Sequence, residues 1–136
     1  MTVHLPLDPG VAFDMLSILA VKHARTTGSA PAAANLATFA VPLSGQLGER
    51  LGQPLYTAII ESPEYQSLYA TNGALFDLID LLKSPARPSG QCYDVTVDQL
   101  NHDRWLAKRA LQARFFPEQP LSEQKLGYGT PPIQTL

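Results

Sequence analysis

Asn101, Arg104 and Lys108 follow one another at spacings of three and four, so a helix over 97–116 would carry all three on one narrow side. An amide and two cations in such a row suit a phosphate, a carboxylate or a sugar phosphate. The guanidinium offers a planar fork of donors and the ammonium a point charge. Two other stretches also put polar groups at core spacing. Lys22 continues the apolar stripe Val11, Met15, Ile18, and Asn72 interrupts the stripe Tyr65, Leu68, Leu75, Ile79, Leu82, with Asp80 on its flank. Burying an unpaired charge is very costly, so side chains that face inward together must meet one another or a ligand. The spacing therefore predicts a shared inter-helix site of Lys22, Asn72, Asp80, Asn101, Arg104 and Lys108, with Asp80 the counter-ion of Arg104 or Lys108. The same residues have two plainer uses: a polar core network that fixes helix register, or a solvated face.

Other chemistry has fewer carriers. Glu61 and Glu64, then Asp77 and Asp80, reproduce with an aspartate substitution the E-x-x-E and E-x-x-D pairs by which the all-helical nucleoside triphosphate pyrophosphatases hold Mg²⁺. Near-octahedral oxygen geometry is what requires carboxylates on successive turns there. Against this template, Ser62 and Pro63 read as a helix start, which makes Glu64 a first-turn acid favoured by the helix dipole. His4, His23 and His102 lack metal-ligand spacing, and a single cysteine, Cys92, excludes a zinc cluster and an internal disulfide and suits a reducing cytoplasm. Gly127 and Gly129 precede no helix, which removes a phosphate loop. No cofactor is expected.

The elements that must position these residues are helices. Residues 97–116 are the longest stretch of strong helix formers without glycine or proline, with Thr96 and Gln99 as a capping box and Pro117 as the stop. A second apolar strip runs beside the polar row through Leu100, Leu106, Ala107, Ala110 and Ala113. Asp8 with Pro9 caps a helix over 9–27 that Gly28 ends, and Ser62 with Pro63 caps another over 63–83. Residues 29–53, poor in charge and rich in Ala, Gly and Pro, read as an irregular connector with one or two turns near 35–40 before Pro42 and a short helix over 44–51. A short helix follows over 55–61, 84–94 is a loop, 121–126 adds a turn, and 127–136 is an extended tail.

Bulk properties set the frame. One domain over 1–136 is expected from length, and 45% hydrophobic against 16% charged residues is globular composition. The net charge of -2 gives no field for nucleic acid. The run 11–21 is too short to span a bilayer and is broken by Asp14 and Ser17, so neither a membrane span nor a secretion signal is expected. The fold class is all-α: an antiparallel bundle of three main helices plus short connector helices.

Around these same residues the chain resembles a family of small uncharacterised bacterial helical proteins often encoded near surface-glycan glycosyltransferases. The family's D-x-L-[ST]-I-L-x-[IV]-K is met by Asp14, Leu16, Ser17, Ile18, Leu19, Val21 and Lys22. Its Asn followed by L-[WF]-D-[IL]-x-D is met by Asn72, Leu75, Phe76, Asp77, Leu78 and Asp80, and its N-x-x-R-x-x-x-K by Asn101, Arg104 and Lys108. Of a final E-x-K-x-Y, Glu123 and Lys125 are present and Tyr128 is one place late; Ile79 and Leu111 stand where the family has an acid and an asparagine. The resemblance implies an all-helical fold and a glycan-related setting, and adds Glu123 and Lys125 to the candidate ligand-binding set. It implies no activity.

The expectation is a cytoplasmic, non-enzymatic accessory or binding protein with an inter-helix anion site for a phosphate- or carboxylate-bearing small molecule, tied to glycan biosynthesis. The rivals are the Mg²⁺-dependent pyrophosphatase and a homodimeric scaffold.

Overall fold

The computed structural model describes residues 3–26, 30–85 and 93–120. These form five helices, α1 (Pro9–Arg25), α2 (Ala30–Leu51), α3 (Gln53–Ile60), α4 (Pro63–Lys83) and α5 (Tyr93–Phe115), with no strand among the described residues. The all-α expectation holds. The turn at 121–126, the tail at 127–136, Gly28 and Cys92 lie outside the described residues.

Local chemistry sets the helix starts. Asp8 Oδ1 accepts from the Val11 amide at 2.8 Å, and Ser62 Oγ accepts from the Tyr65 amide at 3.2 Å, each followed by proline in the first turn. α4 has the bounds its sequence signals give. α5 begins at Tyr93, so Thr96 lies within the helix instead of capping it, and Gln99 Nε2 donates to Asp103 Oδ1 at 2.9 Å.

The largest departure is α2. Residues 29–53 are not an irregular connector, because one continuous helix covers most of them with Pro42 inside it. Proline withholds the amide that would bond the Thr38 carbonyl, a defect worth about 3 kcal/mol in a helix interior. Tertiary packing offsets it: Leu43, Leu47 and Leu51 lie on one side of the helix and pack against the core. Gly52 then breaks the helix with φ +85°, a left-handed conformation that L side chains rarely adopt, and the chain turns into α3. On the outer side of α2, Phe39 and Val41 stay exposed.

This additional helix changes the bundle's directions. Phe13 packs edge-on against Tyr65 with centroids 6.3 Å apart, Asp14 meets Asn72, and Arg25 meets Asp77, so α1 and α4 run the same way. α2 returns the chain between them. α5 runs against both, since Gly10 meets Gln112 at one end and Glu64 meets Arg114 beside it. With α2 read as a connector, three helices joined by turns implied a wholly antiparallel set; an added return helix makes α1 and α4 parallel.

The core holds Phe13, Leu16, Tyr56, Ile59, Tyr65, Leu68, Ala107 and Leu111. Fully burying a large apolar side chain contributes about 1.5–3 kcal/mol, and Phe13, Ile59, Leu68 and Leu111 are all at 0% exposure. On α1 the buried side is Ala12, Phe13, Asp14, Leu16, Ser17 and Val21, while Met15 and Lys22 face out. The expected stripe through Val11, Met15, Ile18 and Lys22 is therefore the wrong side. α1 is apolar nearly all round, so more than one apolar stripe fits its sequence, and the side that docks is the one carrying Asp14 and Ser17.

Candidate functional site

The polar residues of three helices meet at Asp14. Its carboxylate sits in the middle of α1 with only 4% of the side chain exposed. From α5, Arg104 Nε donates to Oδ1 at 3.1 Å and Oδ2 at 3.0 Å, and Nη2 donates to Oδ2 at 2.6 Å. One turn on, Lys108 Nζ stands 3.6 Å from Oδ2, an ion pair beyond hydrogen-bond range, with its side chain 6% exposed. From α4, Asn72 Nδ2 donates to Asp14 Oδ1 at 2.9 Å and to Ser17 Oγ at 2.7 Å, and Ser17 Oγ donates to the Asp14 carbonyl at 2.8 Å. A carboxylate in a dry interior is tolerable when strong donors surround it, and here both oxygens are engaged.

The expected cluster is thus assembled in part and around a different anion. Asn72, Arg104 and Lys108 converge, and Asn101 is half-buried on the turn before Arg104. The Asn101 side chain makes no hydrogen bond among the described residues. Asp80 is not the counter-ion, because it is exposed on α4 one turn past Asp77. Lys22 is exposed on the outer side of α1, and Glu123 and Lys125 lie outside the described residues. The missed residues are Asp14 and Ser17. Their signal was present: one carboxylate inside an apolar run, on a chain whose other helices place cations at core spacing, is the complementary anomaly.

A second buried polar residue, Gln112, also escaped the sequence reading. It lies on α5 at 2% exposure, accepts from the Gly10 amide at 2.9 Å through Oε1, and donates through Nε2 to the carbonyls of Gln119 at 3.2 Å and Pro120 at 2.9 Å. A β-carbon on Gly10 would stand 2.9 Å from that Oε1, closer than such atoms approach, so a side chain there would push the Gln112 amide off its place.

The carboxylates of the Mg²⁺ template are scattered. Glu64 pairs with Arg114 at 2.7 Å, Asp77 pairs with Arg25 at 2.9 Å, Glu61 and Asp80 are exposed, and no group of three or more acidic, His or Cys side chains capable of holding a metal occurs among the described residues. Helical geometry explains why. Glu64 and Asp77 belong to one helix, thirteen residues apart, which at 1.5 Å per residue separates them by about 20 Å. Pairs of this kind hold one cation only when they sit on helices that face each other.

The two surface pairs brace the bundle. The Asp77 carboxyl is held below the usual carboxylate range by its hydrogen bonds from Arg25, and that guanidinium is raised in turn. Its contribution is therefore present above the ordinary carboxyl value and lost as pH falls through the lowered one. Arg25 reaches Asp77 across Gly73, whose missing β-carbon would stand 3.1 Å from Nη2. The Glu64 carboxyl is lowered first by its own backbone amide, at the start of α4, and then by Arg114.

No helix among the described residues is long and apolar enough to cross a membrane. Comparison of the chain with family models, with curated proteins and with solved structures gave no match.

Proposed function

We propose that this chain is a non-enzymatic accessory protein that binds an oxyanion at the mouth of the Asp14 cluster, with Arg104 and Asn101 as the recognising side chains. The observation that carries the reading is the contrast across one ion pair. Asp14 is 4% exposed while the Arg104 side chain is 30% exposed, so a buried carboxylate holds in place an arginine that still reaches the surface. Ordering an arginine is a large part of the cost of using it for binding, and Asp14 meets that cost during folding. The half-buried Asn101 amide adds a donor on the same side of α5. The resemblance in motifs to proteins encoded near glycosyltransferases directs the choice of ligand toward sugar phosphates and nucleotide sugars in glycan assembly.

Thermal shift tests this against the pyrophosphatase reading. Inorganic phosphate, glucose 1-phosphate and UDP-glucose should raise the melting temperature equally with Mg²⁺ or with EDTA, by about 2.7 kcal/mol of stability at one hundred times Kd. Arg104→Lys keeps a cation on Asp14 and removes the planar fork, so it should fold and lose the shift. Stabilisation that requires Mg²⁺, or none by any of the three anions, would contradict the reading.

A further inference from the structure

Gln112 joins three parts of the chain, and its hydrogen bonds are divided unequally between them. Oε1 takes the Gly10 amide at the start of α1, while Nε2 gives to the turn that follows α5, at the carbonyls of Gln119 and Pro120. That turn, 117–120, has exposed side chains throughout. Its hold on the bundle therefore comes through backbone carbonyls and one buried amide, not through apolar side chains. Lys108 lies one helical turn before Gln112 on the same side of α5. A β-carbon on Gly10 would stand 3.4 Å from the Lys108 carbonyl, so α1 and α5 are in close contact along this seam. The Lys108 side chain, 6% exposed, meets Asp14 in the same seam.

We propose that the turn 117–120 is a strap latched by the Gln112 amide, which closes the Lys108 end of the α1–α5 seam and opens as a local unit while the helices stay folded. Two neutral hydrogen bonds, with no buried side chain of the turn beside them, are lost together at a fraction of the cost of unfolding α5. What lies in the seam gives the opening a consequence. Lys108 is a buried cation, and an open strap brings water and solutes to it. The latch is made at Gly10, Gln119 and Pro120, so it holds whether or not an oxyanion binds at the Arg104 end.

Amide exchange and lysine acetylation of the native full chain test this, with Gln112→Met and Gln112→Glu as variants. Methionine nearly matches glutamine in shape and removes all its hydrogen bonds. Glutamate, ionised at pH 8, keeps an oxygen for the Gly10 amide and has no hydrogen for the two carbonyls. In both variants the Gln119 amide, which bonds the Phe116 carbonyl inside the turn, should exchange about ten- to a hundredfold faster. Lys108 should become acetylated, while the exposed Lys22 and Lys83 react at an unchanged rate and the Leu68 amide keeps its protection. Gln119→Ala retains the carbonyl and should behave as the unsubstituted chain does. Lys108 that stays unreactive in both Gln112 variants would overturn the proposal, because the turn would then not close the seam. Leu68 protection lost in step with the Lys108 reaction would overturn it too, because the turn would then come away only when the whole bundle unfolds.

Discussion

At the scale of single residues, the chain is organised by one buried carboxylate. Replacing Asp14 with asparagine keeps the shape and removes the charge, leaving Arg104 and Lys108 facing each other in a poorly hydrated site. Breaking a buried pair from one side costs about 3–5 kcal/mol, and urea unfolding of Asp14→Asn should show a loss of that size. Lys108→Met leaves the Arg104 hydrogen bonds to Asp14 in place, so in that variant the carboxylate keeps its donors from α5. Tyr65 gives a second residue-level expectation. Its folded value is raised above the ordinary 10 to about 12 by burial, so the stability this phenol contributes is intact below pH 10 and is lost as pH rises toward 12. Alkaline melting curves of Tyr65→Phe should lack that loss, and identical alkaline curves for the two proteins would show that the phenol does not titrate late.

At the scale of elements, the helices differ in how well their sequences announce them. α4 was legible because a serine-proline start agrees with the apolar positions Tyr65, Leu68 and Leu75, and α1 was legible in extent because aspartate and proline cap it. The contact face of α1 was not, because the helix is apolar nearly all round and the side it buries includes two polar residues, Asp14 and Ser17. α2 was hidden by Pro42 and by three glycines between 45 and 52, local signals that each argue for a break. Its stripe of Leu43, Leu47 and Leu51 outweighs them through packing, which no local rule registers. Pro42 is exposed, so Pro42→Ala should restore the amide bond to Thr38 without disturbing a contact and stabilise the protein by up to about 3 kcal/mol. Thermal melting measures this, and a lower melting temperature would show that proline is needed in α2. On α5, the polar row is placed by its sequence beside an apolar strip, and it is the row that turns inward, with Lys108 buried and Asn101 and Arg104 half-buried. The weak apolar strip through Leu106 and Ala113 proved the outer one, with only Ala107 buried.

At the scale of the whole molecule, α1, α4 and α5 form the unit joined by the polar cluster, and α2 leans on it chiefly through the half that ends at Leu51. Amide exchange should therefore be slowest in α1, α4 and α5 around Phe13, Leu68 and Leu111, and within α2 protection should decline from Leu51 toward Ala30. Uniform protection along α2 would mean that its exposed first half is supported by something beyond these contacts. The bundle's directions follow from pairs of contacts along each helix: Asp14–Asn72 with Arg25–Asp77 sets α1 along α4, and Gly10–Gln112 with Asp14–Arg104 sets α1 against α5. The site was legible in the sequence as a surplus of polar residues at core spacing on α4 and α5, while its counter-ion was legible only by matching those cations to Asp14, the carboxylate inside the apolar run of α1. The most direct measurement is a double-mutant cycle of Asp14→Asn and Arg104→Gln, read by urea unfolding. The geometry predicts that the two losses couple strongly, by about 1–3 kcal/mol, because the second change costs little once the first has removed the pair. Losses that add to within about 0.5 kcal/mol would contradict an interaction between these side chains, and with it the cluster on which the proposed function stands.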